Sequence, residues 1–569
     1  MNHQYIVTAV DTTGIQPYIF GSNRLRENVG ASELVRLATG QWALEAVMKV
    51  AGQHHNVKDA RHGEFNDAFK IETEERAEAA EVIYAGGGNI VIIFRAADSA
   101  KKFAYQLTRR ALDDAPGLSL VVAHSHFLWD HEQQTGDRAC GRVVDELIGL
   151  KLAAQRAGRL PSSPLLGLGV TAACESTGLV ATQTNEGRYH DVRLKLRGRE
   201  PTRLISRETR AKLVASDEAN QWLRSEAMFA PELSGWFDFP SDIDDLGRLK
   251  GEESYVAVMH ADGNNIGQRI QAISNQFPEP KDNRPYIDAM RRFSQGLNMA
   301  RVEALRFTVR RLTRSLRYAQ ETQQELVASV LPIKYDENRK RYLLPFRPLV
   351  SGGDDVTFLC NGQLGVTLAA IYLEAFERAT IEHLGEELRA CAGVAIVKMH
   401  YPFARAYQLS EELVLKAKRF GKLRKASALD WHFATGGLSG SLEQIRYREY
   451  TVGERSLEKS LLLRPLLLHA KGDELESRVW LDRVEKLTLT FKDDQEWAQK
   501  RNKVKALREA LREGGARVKQ FCLSYGIKSL PALVAGQEDE YRQTGWQGNR
   551  CVYFDAIELM DHYVSLEER

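Results

Sequence analysis

The chain has 569 residues, 43% of them hydrophobic and 27% charged, with 78 Lys+Arg against 76 Asp+Glu for a net charge of +2. That length exceeds what one core fills and sets a prior of about three to four domains. The composition is that of a soluble globular protein, and the near-zero balance argues neither for nor against nucleic acid, because local patches outweigh the sum.

Met1–Val10 lacks a charged n-region followed by a long apolar stretch, so no signal peptide is expected. No window reaches the apolar length of a membrane span. Residues 4 to 10 read as an apolar strand ending at Asp11, followed by Thr12-Thr13-Gly14-Ile15-Gln16 and a helix. That order opens an α/β or α+β unit with its ligand at the C-terminal end of the strand. Arg24 to Lys49, with Leu34, Leu37, Ala38, Trp42 and Ala43 at helical spacing, predicts a helix with one buried face. Residues 50 to 80 are polar, and Glu81 to Phe94 forms a hairpin through Gly86-Gly87-Gly88-Asn89. A helix at about 97 to 113 and a strand from Leu118 to His124 follow.

Residues 130 to 250 are mixed. Asp145 to Arg156 reads as helix, Pro161 to Leu168 as loop, and Thr171 to Leu179 as a knuckle around a single thiol, Cys174. The pair His190-Asp191 has no companions for a metal-dependent phosphohydrolase site, and Asp242 to Asp245 reads as a solvated acidic loop. Six cysteines (Cys140, Cys174, Cys360, Cys391, Cys522, Cys551) stand far apart without a C-x-x-C pair. That pattern speaks against a disulfide framework or complete zinc ribbon and fits a reducing cytoplasm.

The opening order then recurs. Tyr255 to Ala261 is a strand leading into Asp262-Gly263-Asn264-Asn265-Ile266-Gly267 and a helix. A long helical stretch over 285 to 328 carries Arg291, Arg292, Arg301, Arg306, Arg310, Arg311, Arg314 and Arg317, a stripe suited to phosphates or to a solvated or subunit-contact face. Tyr342 to Cys360 forms a hairpin through Ser351-Gly352-Gly353-Asp354-Asp355. A helix from about Thr367 to Ala390, a strand from Gly393 to Met399 and a helix from Leu409 to Phe420 complete the unit. Asp11 thus corresponds to Asp262, and Ala85 to Asn89 corresponds to Ser351 to Asp355, which makes internal duplication the better reading. With Gly88-Asn89 in place of the acidic pair, the first copy should not hold metal well. From about 440 onward the chain reads as a separate helical module, with helices over Ser456–His469, Asp473–Thr488, Asp494–Glu513, Gly515–Tyr525 and Tyr553–Leu566.

Adjacent carboxylates at a hairpin tip repel each other unless a cation sits between them, and Mg²⁺ and Mn²⁺ prefer carboxylate oxygen. The plain alternative is a turn with solvated Asp residues. Phosphodiester formation from a nucleoside triphosphate needs two such ions and little covalent help. Asp262, Asp354 and Asp355 are the candidate metal ligands and catalytic carboxylates. The loop Gly263, Asn264, Asn265 precedes a helix whose free N–H groups can cradle a triphosphate. Ser351, Gly352 and Gly353 line the hairpin where sugar and base would lie. Lys418 is a candidate counter-charge for the outermost phosphate, or else an exposed lysine on a surface helix.

These motifs resemble the large polymerase/cyclase subunit of type III CRISPR effector complexes, or a stand-alone relative. The matching residues are Asp11 to Phe20 with Asn28 to Ser32, Cys174 to Leu179, Asp262 to Gly267, Ser351 to Asp355, and Gly393 to Ile396 with Ala417-Lys418. The resemblance implies an α+β fold of two ferredoxin-like palm domains of nucleotide cyclase/GGDEF type, a small linking domain and a helical C-terminal domain, at 1–130, 251–438, 131–250 and 439–569 respectively. It implies an enzyme that turns ATP into cyclic oligoadenylate with two Mg²⁺ or Mn²⁺ ions, for antiphage signalling. Implied partners are nucleoside triphosphates, with RNA, an RNA-guided effector complex or a second copy of the chain, and no membrane. Three departures stand out: no HD nuclease precedes the first palm, the knuckle keeps only Cys174, and Asn264 replaces a frequent Asp. A hairpin ending in Asp-Asp rather than Asp-Glu-Phe or Glu-Glu-Phe, with no Arg-x-x-Asp just upstream, favours ATP over GTP. The competing class is a catalytically silent nucleotide- or RNA-binding scaffold. A template-dependent polymerase ranks lower, because nothing resembles a thumb with a primer groove.

Overall fold

The computed structural model describes residues 4–129, 139–158, 169–185, 188–189, 192–193, 202–225, 228–229, 233, 235–246, 254–319, 324–328, 330–434, 440–453, 458–469, 480–494, 496–497, 500–533 and 540–566. Pro161–Leu168 and His190-Asp191 lie outside them.

The first sheet is built on β1 (Gln4–Thr13), whose alternating apolar residues bury both faces. Gly14, at φ 66°, takes the left-handed turn that a side chain would resist and leads into α1 (Ile15–Phe20). The helix expected over Arg24–Lys49 is two: α2 (Leu25–Thr39) and α3 (Gln41–Ala51) part at Gly40, where the backbone leaves helical geometry. β2 (Ala80–Gly86) and β3 (Asn89–Phe94) form the hairpin, α4 (Ala97–Asp114) crosses the sheet, and β4 (Ser119–Leu128) completes it. The order is β2-β3-β1-β4, antiparallel throughout. Helices α2 to α4 cover the face of Ile6 and Val10. The opposite face, with Tyr5, Val7 and Ala9, packs on α5 (Cys140–Glu146) and the segment running into α6 (Ala153–Gly158). A further helix, α7 (Arg207–Ser225), crosses α2 at Gly30, where a Cβ would sit 1.6 Å from the Lys212 carbonyl oxygen.

The second sheet repeats the plan. β5 (Tyr255–Gly263) is followed by α8 (Ile266–Gln276) and α9 (Asn283–Arg314). The hairpin β6 (Phe346–Gly352) and β7 (Asp355–Asn361) precedes α10 (Gly365–Leu384), β8 (Ala390–Lys398), α11 (Phe403–Arg424) and β9 (Ala428–Ala434), with a short edge strand β10 (Leu466–Leu467). The order is β6-β7-β5-β8-β9-β10, so its first four strands reproduce the first sheet. The register agrees residue by residue. Asp11 lies opposite Asn89 and Val121, and Gly86 pairs with Asn89. Asp262 lies opposite Cys391, Ala261 opposite Val356, and Gly352 pairs with Asp355. Gly88-Asn89 therefore occupies the place of Asp354-Asp355. Ala257, Met259 and Ala261 face a core that includes residues of α9 and α10, while Val256 and Val258 face one that includes residues of α11. Gly393 lets α11 lie against β8: a Cβ there would meet the Ser410 carbonyl oxygen at 2.3 Å.

The C-terminal region departs from expectation. Of the helix expected over Ser456–His469, none forms in the described residues 458–469: Lys459–Ser460 joins a small four-stranded sheet, and Leu466–Leu467 extends the second sheet. Pro465 has no N–H for a helix, and Leu461, Leu462, Leu463, Leu466, Leu467 and Leu468 are all buried rather than lining one stripe. Among the described residues the helices of this region are Leu442–Tyr450, Leu481–Asp493, Arg501–Glu513, Gly515–Ser524, Tyr541–Thr544 and Phe554–Leu559, and the part of Asp473–Thr488 before Trp480 lies outside the described residues. Likewise α9 ends at Arg314, and Leu316–Ala319 is a strand rather than helix. Among the described residues no helix is long and apolar enough to cross a membrane.

Candidate active site

Three carboxylates meet where β5 ends and the β6–β7 hairpin turns. One oxygen from each of Asp262, Asp354 and Asp355 lies within 4.8 Å of the others, and this is the one such cluster of acidic, His or Cys groups among the described residues. Two glycines make the approach possible. Gly353 holds φ 61° in the turn, and at Gly263 a Cβ would stand 2.9 Å from Asp354 Cβ. Lys418, reaching in from α11, donates to the Asp262 carboxylate and to the Gly263 carbonyl oxygen at 3.0 Å.

Burial, then the charge of Asp262, pushes Asp354 up to about 7, with Lys418 partly opposing. The same causes, with Asp354 added, push Asp355 up to about 8, although Asp355 keeps surface in contact with solvent. The cluster thus carries more negative charge than its one lysine balances, and it favours a proton or another cation.

The loop after Asp262 differs from expectation. The Asn264 N–H is not free to cradle phosphate: it donates to the Arg389 carbonyl oxygen at 2.7 Å, and the Asn264 amide turns to the Cys391 sulfur at 3.4 Å. Asn265 takes the left-handed conformation, φ 63°, ahead of α8, as Gly14 does ahead of α1. Gly352 and Gly353 do not simply leave room for a nucleotide, because the first hairpin rests on them. A Cβ built on Gly352 or Gly353 would meet the Gly87 Cα at 3.1 or 3.4 Å. Ser351 of β6 pairs with Val356 of β7.

Between the two hairpins lies a cavity of about 270 Å³ with walls from both sheets, including Gln16, Gly86–Gly88, His260, Arg301, Asp355 and Tyr407. Tyr407 stacks on Phe20 with ring centroids 4.3 Å apart, and Gln16 donates to its hydroxyl at 3.3 Å. His260 Nδ1 lies 3.0 Å from the Thr357 hydroxyl, and burial pulls its pKa down to about 4. Of these wall residues, sequence reasoning missed His260 and Tyr407. His260 was within reach of it, since it stands two residues before Asp262 and so on the same strand face; Tyr407 carries no local signal.

The arginine stripe does not form one face. Arg291 is buried and pairs with Glu81 at 2.6 Å, Arg301 is buried at the cavity, and Arg310 and Arg314 point to solvent. In the first sheet Asp11 is held by Arg156 at 2.6 Å. Cys174 is buried with its sulfur 3.3 Å from the Thr209 hydroxyl, and among the described residues it belongs to no metal-ligating cluster.

An antiparallel core with a carboxylate ending its central strand, and two more on the adjoining hairpin, is a palm domain. Residues 255–426 match the family described as Cas10/Cmr2, second palm domain. By that match, residues 255–426 are a second palm domain of Cas10/Cmr2 type. Among solved structures, it is similar in fold to Csm1 in T. onnurineus at 13% identity and TM-score 0.50, covering 99% of this chain and 70% of that one. It is also similar to a Csm1–Csm4 cassette in complex with cA4 at 11% identity and TM-score 0.47, covering 98% and 69%. No curated protein matches it in sequence.

Proposed function

We propose that the chain is a metal-dependent nucleotidyltransferase that joins ATP into cyclic oligoadenylate with release of pyrophosphate, within a type III effector complex. The observation that carries this reading is the convergence of Asp262, Asp354 and Asp355 beside a cavity walled by both hairpins. The donor set fits Mg²⁺ or Mn²⁺: three hard oxygen ligands, two of them on carboxyl groups that crowding holds above their ordinary range. When bound, such ions would lower the pKa of the attacking hydroxyl and offset the charge of the departing pyrophosphate.

The chain's own residues supply the rest. Lys418 stands at the edge of the cluster, within reach of a terminal phosphate. Tyr407, His260 and Gln16 offer an aromatic face and polar atoms for base and sugar, and the buried walls keep water from competing. The first hairpin, without acids, would hold a nucleotide as acceptor. In this reading residues 1–130 form the nucleotide-holding palm, 131–250 link it to the catalytic palm at 251–438, and 439–569 dock partners while lending β10 to the palm sheet.

The test is incubation with Mg²⁺ or Mn²⁺ and each of the four nucleoside triphosphates, with and without RNA and candidate partner subunits, with products resolved by mass spectrometry. Oligoadenylate is expected from ATP and should vanish in Asp354→Ala/Asp355→Ala with the fold intact. Folded protein that releases no pyrophosphate under any of these conditions would leave the scaffold reading instead.

A further inference from the structure

Each sheet brings a basic side chain to the aspartate near the C-terminal end of its central strand, and the two come from corresponding places. Arg156 lies in the helical segment after β4, and Lys418 lies in the helix after β8. Those segments cover the same face of their sheets, the one that carries Asp11 and Asp262. Arg156 meets Asp11 at 2.6 Å, and Lys418 meets Asp262 while also donating to the Gly263 carbonyl. What differs is the charge each must balance. In the first sheet the hairpin contributes Gly88 and Asn89, so one guanidinium faces one carboxylate. In the second, one ammonium faces three carboxylates.

From this we propose that Lys418 is a resident counter-ion of the catalytic cluster, which a divalent cation displaces, whereas Arg156 is its permanent equivalent in the first sheet. The inference rests on the metal reading of the cluster. Arg156 and Asp11 neutralise each other, so an incoming cation gains little there. With Asp354 and Asp355 ionised, a single ammonium leaves the Asp262, Asp354 and Asp355 cluster net negative, so a divalent ion gains more from those oxygens than Lys418 does. Lys418 is a long, flexible chain with its side chain 25% exposed, so it has room to swing out. Metal-free protein is thereby held in one geometry by its own lysine, and the ammonium is released beside the cluster only once a divalent ion has entered. The two roles of Lys418, holding Asp262 and meeting phosphate, become successive rather than simultaneous.

The experiment is a Mn²⁺ titration of nucleotide-free protein followed by electron paramagnetic resonance of the free ion. It compares wild type with Lys418→Met, Lys418→Gln, Lys418→Arg and Arg156→Met. Removing the competing charge should tighten Mn²⁺ binding about tenfold in Lys418→Met and Lys418→Gln. Lys418→Arg should bind no more tightly than wild type, and Arg156→Met should stay within about twofold of it. In wild type, reductive methylation of Lys418 followed by mass spectrometry should speed up when Mn²⁺ is added, a readout that needs no variant to fold. If wild type binds Mn²⁺ and the uncharged variants bind it equally or more weakly, the counter-ion proposal fails while the metal site stands. If neither wild type nor the uncharged variants bind Mn²⁺, both readings fall together.

Discussion

Asp354→Asn should make the metal-free protein more stable at pH 8, although it removes a proposed ligand. Asp354 sits at about 7 instead of 3.8 because burial and the neighbouring Asp262 charge oppose its ionisation. Its folded pKa is above its unfolded one, so the folded state binds the extra proton, and stability falls as pH rises from about 4 to about 7. That displacement corresponds to about 4 kcal/mol. Lys418 beside the cluster and partial access of water reduce the realisable part to about 2 kcal/mol. Asparagine keeps the shape and can donate to Asp262 as the protonated acid does, but it carries no charge. For a unit the size of the second palm this is a rise of about 4–8 °C in melting temperature at pH 8. The gain should be clearly smaller at pH 5, where the wild-type carboxyl is largely protonated. Calorimetry in EDTA at both pH values measures it. Addition of Mn²⁺ should reverse the order, because only wild type keeps the full ligand set, and ligand at 100 times its Kd adds about 2.7 kcal/mol. A variant less stable than wild type at pH 8, or one whose advantage does not change between pH 5 and pH 8, would refute the charge-crowding account.

Gly393→Ala should destabilise by about 2–4 kcal/mol in urea melts, since its Cβ would enter the Ser410 carbonyl oxygen and the Val414 nitrogen at 2.3 and 2.6 Å. Gly267→Ala, with open space around it in α8, should be neutral or stabilising by up to about 1 kcal/mol. Arg464→Met should cost about 3–5 kcal/mol by the same assay, because it strands the fully buried Asp555 that Arg464 pairs at 2.9 Å. Asn89→Ala should leave ATP turnover within about twofold of wild type, and a large loss would mean that the two hairpins are not as asymmetric as their acids suggest.

What could be read from the linear chain was whatever a few neighbouring residues determine. A strand running into Asp, then a short loop and a helix, and a Gly-Gly hairpin 75 to 90 residues after the Asp, are local signals, and they located the repeat that the two strand registers display. Ser456–His469 misled because its leucine run has helical spacing by chance while Pro465 and burial on every side favour extended chain. The arginines of α9 share a segment but not a fate: Arg291 finds Glu81 some 210 residues away, and no spacing rule announces such a partner. The same holds for Arg156 and Asp11, and for Tyr407 stacking on Phe20, pairings that exist only once the sheets are assembled.

The contact between the hairpins explains how the first copy can do without acids and still need its glycines. Gly87 lies against Gly352 and Gly353, with φ values of 65° at Gly87 and 61° at Gly353 that favour glycine. A side chain at Gly87 would be strained in itself and would press on the opposing backbone, parting the hairpins and opening the cavity they share. The cavity needs that wall whether or not the wall carries charge. Gly88 and Asn89 therefore stand where charge is dispensable, Gly87 where shape is not, and Arg156 neutralises the one aspartate the first sheet still has. A bulky residue at Gly87 should accordingly weaken ATP binding without touching Mn²⁺ affinity at Asp262, Asp354 and Asp355. Isothermal titration of Gly87→Val with each ligand separates the two, and a parallel loss of both would show that the hairpin contact shapes the acidic cluster itself.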